Sequence, residues 1–345
     1  MENELPRVTI IVPTKPGQAL IKSVEAARRL DYPREKIEVI VARGRQPSIQ
    51  RNRALHEASG EIVYFLDDDA EPAPDALRRA MEHFSDAEVQ MVGGPNLCPP
   101  DAPFLEQVFA VVLGSWIAFG PSRARYARVG ATRATSEKEL ILCHLLARRA
   151  PILALAGFDE SLYPNEENAL MDELQKRGGK LIYDPDVVVH RRPRPTLKSF
   201  FKMLMTYGRG RAEQFRLHPS FGSVLNFVPP VFVVCLFLIP LWISLDWFGI
   251  HCDTEVLRAD ATGTMSASHC QFGLAWYPLV AYAFALGVQT IVNCGQGVSL
   301  GLCALPLLFA THFFYGLGFW RGVFTGMDQA DRATMDVKLD RITLD

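Results

Sequence analysis

Three consecutive aspartates, Asp67, Asp68 and Asp69, close the apolar run EIVYFL at Glu61–Leu66. Adjacent carboxylates repel one another unless a cation sits among them. All-oxygen ligands suit Mg2+ or Mn2+, ions that usually share their shell with substrate phosphates. Along an extended chain side chains alternate, so Asp67 and Asp69 share one face and Asp68 takes the other. The cluster reads as a metal–diphosphate site or as a solvated acidic turn, and its place at a strand end favours the first. Glu166 and Glu167 stand together before an apolar helical pattern, where acids also complement the helix dipole. From Arg191 to Arg216 there are eight basic residues (Arg191, Arg192, Arg194, Lys198, Lys202, Arg209, Arg211, Arg216) against one acid, Glu213. Arginine forks suit phosphate, and the same stretch suits anionic lipid headgroups. Arg51 and Asn52 lie near the start of a helical pattern, where phosphate contact is again expected.

Alternating strand and helix signals position these groups. Arg7–Thr14, Ile37–Ala42, Glu61–Leu66 and Val89–Gly93 are β-branched or apolar runs. Helical patterns over Gln18–Leu30, Ser48–Ala58 and Pro74–Phe84 separate them. Pro121–Arg149 reads as a loop followed by a strand, and Lys180–Tyr183 as a last strand before VVVH. This alternation implies an α/β fold with a mostly parallel sheet, in which ligands bind beyond the carboxyl ends of the strands. Thr14, Arg43 and the three aspartates fall at such ends. No GxGxxG follows the first strand, which excludes a dinucleotide-binding oxidoreductase.

The chain of 345 residues has a mean hydropathy of +0.08, which averages two unlike parts. Only six charged residues lie between Phe221 and Val323. Three segments there, Val224–Trp247, Phe272–Val292 and Val298–Trp320, have the length of membrane spans at about 1.5 Å per residue. The expected organisation is a cytoplasmic domain over 1–220, a membrane domain over 221–323 and an acidic tail over 324–345. Three crossings place the tail outside; a re-entrant third segment places it inside. Pro103–Gly120 is apolar but short, either a core helix or one that skims the membrane. MENELPRVTI lacks a signal peptide's apolar core, so the first domain is expected in the cytoplasm. Cys98 and Cys143 read as buried thiols. Cys252 and Cys270 bracket an expected external loop and read as a disulfide or two free thiols.

Four stretches carry a family resemblance in the same order: TIIVPT; RNRAL with EASGEIVYFLDDDAEPAPDAL; AGFDESLYPNEENAL; and KRGGKLIYDPDVVVHRRPR. Together they resemble a family 2 glycosyltransferase with the GT-A fold over about residues 7–210. NEEN, PDVVVHRRPR and YGRGR before apolar segments resemble the bacterial exopolysaccharide-building branch. The resemblance implies an integral protein of the bacterial inner membrane. It implies a nucleotide-sugar donor, a lipid-linked acceptor, contact with membrane lipids, Mg2+ or Mn2+, and no nucleic-acid polymer as partner. Residue by residue, it implies a nucleoside pocket at Pro13 and Thr14, with Asp67 toward the nucleotide and Asp69 on the metal. It places the general base at Glu167, beside Glu166, although the family's Glu-Asp pair is Glu-Glu here. His190 corresponds to a further metal ligand of some GT-A enzymes, or to a hydrogen-bonding corner. Tyr207, Arg209 and Arg211 stand where polymer-making relatives carry QxxRW, which this chain lacks. Where many members carry a base-reading aspartate after strand two, this chain has Val41-Ala42-Arg43-Gly44, leaving Arg43 to contact base or phosphate.

Inverting sugar transfer needs a base for the acceptor hydroxyl and a charge sink for the departing diphosphate. Transfer to a polyprenyl phosphate, whose oxygen is already ionised, needs no base, and the paired glutamates favour a hydroxyl acceptor. An inactive GT-A-like scaffold is the non-enzymatic alternative. His312, in the third apolar segment, is expected to face protein or acceptor rather than lipid.

Overall fold

The computed structural model describes residues 5–162, 165–217, 227–247, 256–259, 265–268, 273–326 and 336–344. In chain order the elements are β1 (Val8–Thr14), α1 (Lys22–Ala27), β2 (Ile37–Arg43), α2 (Pro47–Glu57), β3 (Ile62–Leu66), β4 (Glu71–Pro72), α3 (Ala76–His83), β5 (Val89–Gly93), β6 (Asn96–Leu97), α4 (Phe104–Leu113), α5 (Trp116–Phe119), β7 (Arg133–Thr135), β8 (His144–Arg148), α6 (Arg149–Ala154), α7 (Glu166–Lys176), β9 (Lys180–Tyr183), β10 (Val189–His190) and α8 (Leu197–Leu217). They continue with α9 (Val228–Trp247), the hairpin β11 (Val256–Ala259) and β12 (Met265–Ser268), α10 (Gly273–Cys294), α11 (Val298–Phe324) and β13 (Lys338–Ile342).

Eight strands form one mixed sheet in the order β13-β2-β1-β3-β8-β5-β9-β7. Parallel pairing covers β2-β1-β3 and β5-β9, and β8 inserts antiparallel between β3 and β5. The runs that form β1 and β3 are apolar on both faces because both faces are covered. Ile10, Val12 and Tyr64 pack in one core, and Ile11, Phe65 and Leu55 in the other. A small second sheet, β4-β10-β6, carries the chain leaving β10 back toward the end of β3. Helix α1 is shorter than its pattern: residues 15–21 form a loop in which Gly17 adopts φ +79°.

The strand β13 changes the topology. It pairs antiparallel with β2, Lys338 opposite Arg43 and Ile342 opposite Val39. Three complete membrane crossings would leave this tail on the side opposite the sheet it joins. Of the two alternatives for the tail, its pairing with β2 agrees with the one that keeps it on the side of the first domain.

Helices α4, α8, α10 and α11 share a third apolar core containing Val108, Phe109, Phe200, Leu204, Leu286 and Leu308. Phe109 and Phe200 stack at 4.2 Å. α8 and α11 meet backbone to backbone. A Cβ on Gly208 would stand 2.0 Å from the Tyr315 carbonyl oxygen, and one on Gly318 would stand 2.1 Å from that of Met205. Small residues allow this approach, as expected of the Gly316–Gly318 run. Pro103–Gly120 is not a single surface helix. It bends by 61° between α4 and the following helical turns, and the membrane-skimming reading is corrected for α4, whose Val108, Phe109 and Val112 are buried. Among the described residues one helix, α11, is by itself long and apolar enough to cross a membrane. Cys143 is buried and Cys98 half-buried, both as free thiols, while Cys252 and Cys270 lie outside the described residues.

Candidate active site

The carboxyl ends of β1 and β3 lie side by side, so Thr14 meets the aspartate cluster: its Oγ1 donates to Asp68 Oδ2 at 2.9 Å. Asp67 and Asp69 turn toward Arg191; the chain is not extended here, because the Ala70 N–H donates to the Asp67 carbonyl at 3.1 Å and closes a turn, so the division comes from the turn and not from strand alternation. Arg191 Nη1 lies 3.0 Å from Asp67 Oδ2, and its Nε donates to Asp69 Oδ1 at 2.5 Å. The buried Arg51 of α2 completes the cluster, donating from Nη2 to Asp67 Oδ1 at 3.1 Å and from Nη1 to Glu166 Oε1 at 3.0 Å. Burial pushes Asp67 up, but Arg191 and Arg51 outweigh it and hold the carboxyl below its ordinary value. Asp68, which lacks such a clamp, is raised by burial.

Two adjacent glutamates at the start of α7 part company. Glu166 turns to Arg51. Burial, reinforced by the neighbouring Glu167, pushes it up to about 7 against the pull of Arg51. Glu167 lines a separate cavity of about 740 Å3. Its polar lining includes Arg125, Lys138, Tyr207 and Arg211; its apolar lining includes Trp116, Phe119, Phe284, Val288 and Val292 from α5 and α10. Arg211 forms no ion pair among the described residues. Its Nη1 donates to Gln214 Oε1 at 3.0 Å, and burial pulls its guanidinium below the usual range. His312 of α11 lines the same cavity and contacts the Ile117 carbonyl through Nε2 at 2.8 Å, facing protein as expected.

Several residues expected at a phosphate or metal are otherwise engaged. Asn52 ties down the chain after α6: its amide bonds Phe158 N and O at 2.8 and 2.9 Å and Glu160 Oε1 at 3.0 Å, so phosphate contact is corrected. Arg192 forms a fork with Glu106 at 2.7 and 2.9 Å, which pins the buried acid of α4. Arg209 pairs with Glu213 at 3.4 Å, one turn along α8. Arg216, counted in the basic stretch, caps the end of α11 through the carbonyls of Gly322 and Thr325. Arg194 is exposed near the cluster. Arg43 pairs with Asp340 of β13, while Pro13 is buried at the end of β1.

The metal set Asp67, Asp69 and His190 is also corrected. Among the described residues no three His, Cys, Asp or Glu side chains converge on a metal-sized site. His190 and Arg191 are consecutive, and it is Arg191 that reaches the aspartates. The cluster still fits a divalent ion in its chemistry: Asp69 is half exposed, its donors are hard oxygens, and the Arg191 guanidinium is a cation standing between the carboxylates.

Sequence reading missed Gln50, Arg125, Lys138 and Asp340. Gln50 Nε2 donates to the Thr14 carbonyl at 2.8 Å and also reaches that of Ala42, bracing the ends of β1 and β2. Its position one residue before Arg51 carried no signal of that role.

Residues 22–107 match the profile described as Glycosyl transferase family 2. The chain is 26% identical over 185 residues to a pre-mycofactocin glycosyltransferase of Mycobacterium tuberculosis, covering 50% of this chain and 36% of that protein. It is 29% identical over 182 residues to the succinoglycan biosynthesis protein ExoA of Rhizobium meliloti, covering 52% and 46%. The chain thus spans less than half the length of these curated relatives. In fold it is similar to a mannosyltransferase from Pyrobaculum calidifontis solved with GDP-Man and Mn2+. The TM-score is 0.50 at 20% identity over 89% of this chain and 87% of that one.

Proposed function

We propose that this chain, which carries a family 2 glycosyltransferase domain of GT-A fold, moves a sugar from a nucleotide-diphosphate donor to a lipid-linked acceptor during glycan assembly. The observation that carries the reading is the cavity that sets Glu167 and Arg211 among apolar side chains of α5 and α10. A charged headgroup and a greasy tail need such a mixed lining. Its two parts are contributed by the sheet domain and by the apolar helices, which would enter the membrane from the cytoplasmic face and return the chain to it before β13.

In this mechanism the donor lies along the ends of β1 and β3, beside Thr14 and the aspartates. Asp69, with Asp67, would hold a divalent ion, which supplies neutralisation of the departing diphosphate when bound. Arg191 contributes positive charge at the same place. Arg51 keeps Asp67 and Glu166 in position, and Glu166 stays on the donor side. Arg211, with Lys138 and Arg125, binds the acceptor's phosphate. Glu167 removes the proton from the acceptor hydroxyl as the sugar carbon is attacked.

The test is transfer by detergent-purified full chain, with Mn2+, a panel of GDP- and UDP-sugars and a polyprenyl-diphosphate sugar as acceptor. Glu167→Gln should reduce transfer by about 10²–10⁴-fold while donor binding survives. Full activity in chelator would remove the metal. Arg211, half-buried in the cavity and forming no ion pair among the described residues, also favours a second reading, in which a polyprenyl phosphate itself is the acceptor. That reading predicts transfer to the bare lipid phosphate that survives Glu167→Gln.

A further inference from the structure

The tail strand β13 does more than cover an edge. Asp336 and Lys338 line a second cavity of about 800 Å3 together with Pro16, Gly17, Arg43 and Arg45. It lies at the carboxyl ends of β1 and β2, next to Thr14, where an α/β sheet of this kind accepts its ligand. The end of β2 offers a ligand little by itself. Ala42 has no polar side chain and is fully buried. Arg43 supplies the charge, and the tail decides its orientation: Nε donates to Asp340 Oδ2 at 2.6 Å, while Nη1 donates to the Gln18 carbonyl at 2.8 Å. Held from two sides, the guanidinium is a fixed plane with donor capacity left at Nη2. Such a plane stacks on a heteroaromatic ring or donates to a ring carbonyl. Asp336, across the same cavity, supplies an acceptor for ring N–H groups.

We propose that the C-terminal strand completes the nucleobase pocket of the donor, with Asp340 acting as a positioning residue for Arg43, so that a carbonyl-bearing base, guanine or uracil, is preferred over adenine. This rests on the proposed donor reading and adds the tail to it. A site built to hydrogen-bond a group rejects an analogue that lacks it, because its own polar atoms are then left unpaired. The chain segment that reads the base is therefore separated by about three hundred residues from the strand whose end it completes, since Arg43 and Asp340 are 297 positions apart.

The experiment is binding of GDP, UDP and ADP to the full detergent-purified chain in Mn2+, by calorimetry. Wild type should prefer GDP or UDP over ADP by about tenfold, the discrimination of one good Arg–base contact. Asp340→Asn and Arg43→Lys should each reduce the preference to about twofold or less. Arg341→Ala is the control for strand integrity. Arg341 sits on the same strand but pairs with Glu38 and Glu57, away from the cavity, and its loss should leave the preference intact. If Arg341→Ala abolishes the preference too, the tail acts only by holding the sheet edge and the pocket assignment is overturned. Unchanged preference in both Asp340→Asn and Arg43→Lys overturns it as well. Wild type that binds none of the three nucleotides overturns the donor reading itself.

Discussion

Arg191 donates from Nε to Asp69 Oδ1 at 2.5 Å, so a side-chain cation rests on the carboxylate best exposed to receive a metal ion. The same guanidinium reaches Asp67, and burial notwithstanding, these acids hold it strongly protonated. The repulsion within the aspartate cluster is thereby partly offset before any ligand arrives, by Arg191 on Asp67 and Asp69 and by Arg51 on Asp67.

That contact competes with a divalent ion. Arg191→Gln should tighten Mn2+ binding in the absence of nucleotide by roughly fivefold, the equivalent of about 1 kcal/mol. Titration with Mn2+ followed by electron paramagnetic resonance measures it. Unchanged affinity would mean that Arg191 and the ion occupy different places.

Glu166 makes stability depend on pH. Its carboxyl is raised from the ordinary 4.5 to about 7 in the folded chain, chiefly by burial. Between these values the folded state binds more protons than the unfolded one, so stability falls as pH rises through the window. Glu166→Gln cannot ionise and escapes this loss. The Tm of the variant minus that of wild type should grow from pH 5 to pH 7.5; a flat difference would contradict the burial argument. Asp67 titrates in the opposite sense, below its ordinary 3.8 and outside the window.

The seam between α8 and α11 tolerates no side chain. Gly208→Ala and Gly318→Ala each drive a methyl into a facing carbonyl and should destabilise by about 1–3 kcal/mol. Gly287→Ala meets nothing within 4 Å and should be neutral or slightly stabilising. Thermal unfolding of the three variants in one detergent compares them directly.

Arg192 is expected to matter for stability, not transfer chemistry. Its loss leaves Glu106 buried and unpaired, so Arg192→Ala should lower the Tm, by less than the loss of a buried pair would because Arg192 itself stands in solvent. Arg194→Ala, on an exposed neighbour, should change stability little. Equal Tm shifts for the two would refute the structural role of the pair.

The linear chain determines much of this on local physics alone. Apolar β-branched runs become β1, β3, β5 and β9 because each needs only burial on both faces and a turn residue at its end. The division of Asp67 and Asp69 from Asp68 matches the alternation expected from the sequence, but it is made by the turn that the Ala70 N–H closes on the Asp67 carbonyl. The helical segments α9, α10 and α11 follow from their lack of charge. What the tertiary structure decided depends on partners far away in sequence. Arg51, Asn52, Arg192 and Arg216 look like free cations and polar groups until Asp67, Phe158, Glu106 and the end of α11 are brought to them. Glu166 and Glu167 are adjacent acids in the sequence, and only the packing of α7 turns one to Arg51 and the other to the cavity that Arg211 also lines. The tail is the extreme case. In β13 apolar and charged residues share both faces, Leu339 with Arg341 and Ile342 with Asp340, so the strand shows no clean alternation. Its place in the sheet comes from the edge that β2 leaves open and from the Arg43–Asp340 pair, a contact 297 residues long that no local pattern encodes.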